Sequence, residues 1–139
     1  MTLSTIPYVF KVNKIYRVID GDTLIADIDC GFHLSTKQHI RLKGIDCPEM
    51  VGVSAIEKEQ AILAKEAVEA WADDVEHSGY PMYIQTAMDK DNFGRWIGSL
   101  WTDSPGIAPL SVVLLDNSLA VESTKEDPVK WRDIYLTGN

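Results

Sequence analysis

Ile15-Tyr16-Arg17-Val18-Ile19-Asp20-Gly21-Asp22-Thr23-Leu24-Ile25-Ala26-Asp27-Ile28-Asp29 is the stretch on which the fold turns. Its first half continues a run from Tyr8 to Ile19 rich in β-branched and aromatic residues, with Tyr8, Phe10 and Val12 on one face, a composition that suits a pleated, half-buried surface. Asp20-Gly21-Asp22 reads as a turn, because Gly tolerates positive φ and Asp can bond its own backbone. From Thr23 to Asp29 apolar residues alternate, with Leu24, Ala26 and Ile28 on one face and Asp27 and Asp29 among the others. Two such runs around an Asp-Gly turn are a β-hairpin signal.

Outward from the hairpin, Cys30 to Lys37 reads as a loop around Gly31, and His39 to Ile45 as a third strand with Ile40 and Leu42 facing in. Ser54 and Glu57 have capping-box spacing. Behind them Ala64, Ala67, Val68, Trp71 and Val75 form one helical stripe, and His77-Ser78-Gly79 supplies a stop. Pro81 to Thr86 reads as a fourth strand, Met88 to Gly94 as a charged turn and Arg95 to Trp101 as a fifth strand. Leu110 to Asp116 reads as a short helix. Asp127-Pro128 has the pattern of an N-cap followed by proline at the first helical position, with Trp131, Ile134 and Tyr135 on one side of the segment behind it, Trp131 and Tyr135 being expected exposed. Five short strands with a helix after the third place the chain in a mainly β (α+β) class. A five-stranded oligonucleotide-binding (OB) barrel with capping helices is the expected architecture.

A length of 139 residues makes one domain over residues 1–139, since domains of this size are built around one core. That core is expected over about 8–122, with 123–139 a variable tail or short helix. Thirteen Lys plus Arg against 21 Asp plus Glu give a formal net charge of -8, which argues against a protein that coats duplex DNA with positive charge. No apolar run has the length of a membrane span. Met1 to Pro7 lacks a basic start and an apolar signal core, so the chain reads as cytoplasmic as it stands, or as secreted if a leader was removed. Cys30 and Cys47 are too few for a disulfide framework; one bridge between them stays open, as does the oligomeric state. His33, His39 and His77 are scattered and read as solvated or structural.

Three segments carry chemistry: Ile19-Asp20-Gly21-Asp22-Thr23, then Arg41-Leu42-Lys43-Gly44-Ile45-Asp46-Cys47-Pro48-Glu49, then Asp91-Asn92-Phe93-Gly94-Arg95. Each alone reads as a polar turn. Together they bring three carboxylates and two arginines to the ends of barrel strands. Carboxylate oxygens suit a hard cation such as Ca²⁺, guanidinium forks match phosphate oxygens, and a further carboxylate can take a proton from water. Those are the parts needed for phosphodiester hydrolysis.

In residues, order and spacing, these segments resemble the staphylococcal nuclease (thermonuclease) family, over roughly Val12 to Ala120. The resemblance implies a staphylococcal-nuclease-like OB barrel and a calcium-dependent phosphodiesterase. Such an enzyme hydrolyses the 5′ O–P bond of DNA or RNA and leaves 3′-phosphates. It implies Asp22 and Asp46 as carboxylate ligands of Ca²⁺, with the backbone carbonyl of Cys47 beside them where the family usually has Thr. Arg41 and Arg95 would grip the scissile phosphate, and Glu49 would deprotonate the attacking water. By the same resemblance Lys43, Asn92 and Phe93 would lie beside the substrate. The family commonly has Lys-Tyr where Asn92-Phe93 stands, which removes one phosphate contact. The expected partner is single-stranded DNA or RNA, with no membrane. The alternative is a catalytically weak OB-fold module that binds single-stranded nucleic acid or a protein partner, motivated by the acidic charge.

Overall fold

The structure, a computed structural model, describes residues 8–90 and 94–136, without the side chains of 87–90. Five strands form a closed barrel: β1 (Tyr8–Asp20), β2 (Thr23–Gly31), β3 (Leu34–Leu42), β5 (Met82–Lys90) and β6 (Trp96–Thr102). Their order around the barrel is β1-β2-β3-β6-β5. Neighbours pair antiparallel except β3 with β6, which run parallel. A parallel pair cannot be joined by a tight turn, and here the connection contains helix α1 (Ala55–Ser78) and β5. This mainly β, OB-fold-like barrel with capping helices is the architecture expected from the sequence.

β1 is long enough to serve two neighbours. Tyr8–Val12 pairs with β5 and Lys11–Asp20 pairs with β2. Three register shifts along its pairing with β2 bend it around the barrel, as bulges do. Inward residues Val12, Val18, Leu24, Ala26, Ile40, Leu42, Ile84 and Leu100 are buried together. Ala61, Ala64, Val68, Trp71 and Val75 of α1 complete that core from one helical face. Ser54 caps α1 by accepting from the Glu57 amide, and Gly79 ends it in the left-handed conformation at φ 76. Helix α2 (Leu110–Asp116) lies where the sequence places it, and the Trp71 indole of α1 donates at 2.8 Å to the carbonyl of Ala108, just before α2. Among the described residues no helix is long and apolar enough to cross a membrane.

Several local expectations are corrected. Residues 30–37 are not a loop, because β2 runs to Gly31 and β3 begins at Leu34. The turn between them is Phe32-His33, both at positive φ (56 and 61), as a two-residue hairpin turn requires. Phe-His carries none of the Asn-Gly chemistry that signals such a turn. The third strand also stops early. Gly44, at φ 78, breaks it, and Ile45-Asp46 forms a separate short strand, β4, paired with β7 (Val121–Glu122). The last helix, α3, spans Trp131–Tyr135 behind Lys130. Asp127 lies instead in a tight turn closed by its amide to Thr124 Oγ1 and by the Thr124 amide to its carbonyl. Trp131, expected exposed, is 2% accessible; Tyr135 stacks 5.2 Å from it and stays exposed.

Candidate functional site

One end of the barrel gathers the ends of four strands. Asp20 closes β1, Asp22 and Thr23 lead into β2, Arg41 lies one residue from the end of β3, and Arg95 immediately precedes β6. The register sets Thr23 opposite Arg41, and Arg41 opposite Ile97. Asp46 at the end of β4 and Glu49 in the loop behind it meet the same rim. These residues, with Lys130, line a cleft of about 550 Å³.

Asp22 is the most buried of the charged residues there, at 6% exposure. Its Oδ1 accepts from the Thr23 hydroxyl (3.0 Å) and its Oδ2 from the Cys47 amide (2.8 Å). Arg41 bridges two acids, with Nη1 3.1 Å from Asp22 Oδ2 and Nη2 3.3 Å from Asp46 Oδ1. The other oxygen of Asp46 accepts from the Trp131 amide at 2.8 Å. Arg95 donates to Thr23 Oγ1 at 3.4 Å, so a polar chain links Arg95, Thr23, Asp22, Arg41 and Asp46. Asp20 accepts from the Met50 amide at 3.2 Å.

Burial pushes the carboxyls of Asp20, Asp22 and Asp46 above the usual carboxylate range. The charge of Glu49 adds to this at Asp20 and that of Asp22 adds at Asp46, while Arg41 offsets part of it at each. Burial likewise pushes the Cys47 thiol up, which makes it inert. Cys30 and Cys47 are both free thiols, one exposed and one buried.

Of the residues singled out from the sequence, Asp22, Arg41, Asp46, Glu49 and Arg95 line the cleft. Cys47 lies beside it through its backbone. Lys43 is exposed and does not line it, because β3 ends at Leu42 and Lys43 lies in the turn with Gly44, where the strand alternation that would set it beside Arg41 no longer holds. Asn92 and Phe93 lie outside the described residues. Sequence reasoning missed Asp20 as a lining residue, although it named the turn that holds it. It also missed Thr23, Lys130, Glu57 and Arg132. Glu57 holds the capping-box position behind Ser54, but its carboxylate accepts from the Glu49 amide at 2.9 Å and pairs with Arg132 at 3.1 Å. Arg132 in turn lies 2.9 Å from Glu49. Nothing in the local sequence around Lys130 and Arg132 marks them, since only the docking of Trp131 brings them to the rim.

Four carboxylates and three cationic side chains line the cleft. Oxygen donors of this kind fit a hard cation, and Asp22 and Asp46 are joined through a single guanidinium. Among the described residues no group of three or more His, Cys, Asp or Glu side chains is placed to hold a metal ion. A cation here would rest on two carboxylates plus backbone, water or substrate oxygens. No family model and no curated protein matches this chain, so the reading of the cleft rests on its own chemistry.

Proposed function

We propose that the cleft hydrolyses phosphodiester bonds of single-stranded DNA or RNA with the help of Ca²⁺. The observation that carries this reading is the convergence of Asp22, Arg41, Asp46, Glu49 and Arg95 on one cleft from three separate stretches of chain. Solubilising turn residues would have no reason to meet.

A bound Ca²⁺, held by Asp22, Asp46 and the Cys47 carbonyl, would supply positive charge to polarise a phosphoryl oxygen. The remaining work falls to side chains of this chain. Arg41 and Arg95 approach the cleft from adjacent strands, β3 and the start of β6, and offer N–H donors to the non-bridging oxygens as charge grows on them. Arg41 is held by two carboxylates in the ground state, so gripping phosphate requires it to exchange those partners. Glu49, nearly half exposed at the rim, takes a proton from water. The water oxygen bonds to phosphorus and the P–O5′ bond breaks. The 5′ oxygen takes up a proton from solvent, leaving a 3′-phosphate and a 5′-hydroxyl.

The test is digestion of single-stranded DNA by purified protein in Ca²⁺ and in EDTA. Activity is expected only in Ca²⁺. Arg41→Ala and Glu49→Ala should each lose about 100-fold or more, the usual effect of removing one transition-state donor or one general base. Parental activity in both variants would refute the assignment. The bonds from Arg41 to Asp22, Asp46 and its neighbour's Leu42 carbonyl favour a second reading, a binding module that grips nucleic acid or a protein without turnover. Binding without hydrolysis under every divalent ion would support it.

A further inference from the structure

We propose that Arg132 is a positioning residue for Glu49, tying its carboxylate at the cleft mouth to the buried carboxylate of Glu57. This rests on the reading of Glu49 as the group that takes the proton from water. Glu57 is 3% exposed, a depth at which a carboxylate needs charge partners. Its Oε2 accepts from the Glu49 backbone amide at 2.9 Å, and its Oε1 lies 3.1 Å from Arg132 Nε. The Nη2 of the same guanidinium lies 2.9 Å from Glu49 Oε2 and 3.4 Å from Glu57 Oε2. Glu57 therefore restrains Glu49 twice, by the backbone directly and by the side chain through Arg132.

The restraint matters because Glu49 lies in an irregular loop and its side chain is 45% exposed. A glutamate in that setting samples many rotamers, and a small displacement of a reacting group is costly. Arg132 is itself held firmly. Its neighbour Trp131 is buried, with the indole donating to the Ser118 carbonyl at 3.0 Å and the amide donating to Asp46 at 2.8 Å. The C-terminal segment thus borders the cleft, with Lys130 lining it and Arg132 reaching Glu49. The plainer account is that Arg132 only neutralises buried Glu57 and touches Glu49 incidentally. The two accounts differ in what they predict for turnover.

The experiment measures kcat and KM for Ca²⁺-dependent digestion of single-stranded DNA by the parent, Arg132→Ala, Arg132→Lys and Glu49→Gln. Thermal melts and amide hydrogen exchange at Glu49 are recorded alongside. Positioning predicts that Arg132→Ala lowers kcat about 10- to 100-fold, leaves KM within about twofold, and speeds exchange at Glu49. Arg132→Lys should recover part of kcat, since an ammonium pairs with one carboxylate but cannot fork across two. If Arg132→Ala does not fold, Arg132→Gln and Arg132→Lys carry the same readouts. Parental kcat in a folded Arg132 variant, or a fall in kcat with exchange at Glu49 unchanged, overturns the proposal. An inactive Glu49→Gln beside a fully active Arg132→Ala overturns the positioning role alone. A fully active Glu49→Gln, or a parent without hydrolysis, overturns the reading of Glu49 and the proposal with it.

Discussion

Replacing Gly21 with Ala should destabilise the fold, and for a reason the turn sequence does not suggest. Gly21 is not among the glycines at positive φ. It is needed for space. An ideal Cβ there would lie 2.7 Å from Ala64 Cβ on α1, 3.1 Å from Cys47 Sγ and 3.3 Å from Cys47 Cβ. Carbon atoms rest comfortably at about 3.5–4.0 Å, so the helix or the turn must retreat by about 1 Å. Overpacking of this kind costs about 1–3 kcal/mol. At this chain length that corresponds to a fall in Tm of roughly 4–12 °C. Urea denaturation would read it as a lower midpoint at unchanged slope. The paired variant Gly21→Ala with Ala64→Gly removes the closest contact and should recover part of the loss, less about 1 kcal/mol for glycine in a helix. Because Asp20 and Asp22 flank Gly21, the hydrolysis proposed for the cleft should weaken along with stability. A single Gly21→Ala variant within 0.5 kcal/mol of the parent, about the scatter of a neutral surface change, would refute the close-approach argument.

Three further outcomes follow from the same geometry. Ser54→Ala removes the oxygen that accepts from the Glu57 amide and should cost about 1 kcal/mol in chemical denaturation, whereas Ser54→Asp keeps the cap. Trp131→Ala empties a buried site beside two hydrogen bonds and should cost about 3–5 kcal/mol; a loss below about 1 kcal/mol would mean the C-terminal segment contributes little to the fold. In calcium-free buffer the carboxyls of Asp20, Asp22 and Asp46, raised above 3.8 chiefly by burial, hold protons in the folded state where the unfolded chain has released them. Their contribution therefore declines as pH rises from that unfolded value through the folded ones. The contribution of Asp46 to the urea midpoint, read as the difference between the parent and Asp46→Asn, should therefore fall as pH is raised from 3.8; a difference that grows with pH contradicts this.

Much of the barrel could be read from the chain because its signals are local. Alternation in Thr23–Asp29 and the spacing of Ala64, Val68, Trp71 and Val75 follow from the two side-chain periods of strand and helix, and both elements bury the residues expected. Asp22, Arg41, Asp46, Glu49 and Arg95 were likewise identifiable, because each stands at a turn next to a strand end. The Phe32-His33 hairpin was not legible, since positive φ at two such residues is imposed by the strands on either side and not favoured by the residues themselves.

The amino-acid order by itself determined the strands, the long helix, the acidic charge and the type of chemistry available. Tertiary structure alone decided which groups share a cleft: that Arg41 spans Asp22 and Asp46, that Gly21 must leave room for α1, that Lys43 stays outside the lining, and that Glu57 and Arg132 reach Glu49. The physical reason is distance along the chain. Periodicity and turn chemistry act over a few residues, whereas the contact between Glu49 and Arg132 spans 83 positions and exists only once the barrel has closed and Trp131 is buried against it.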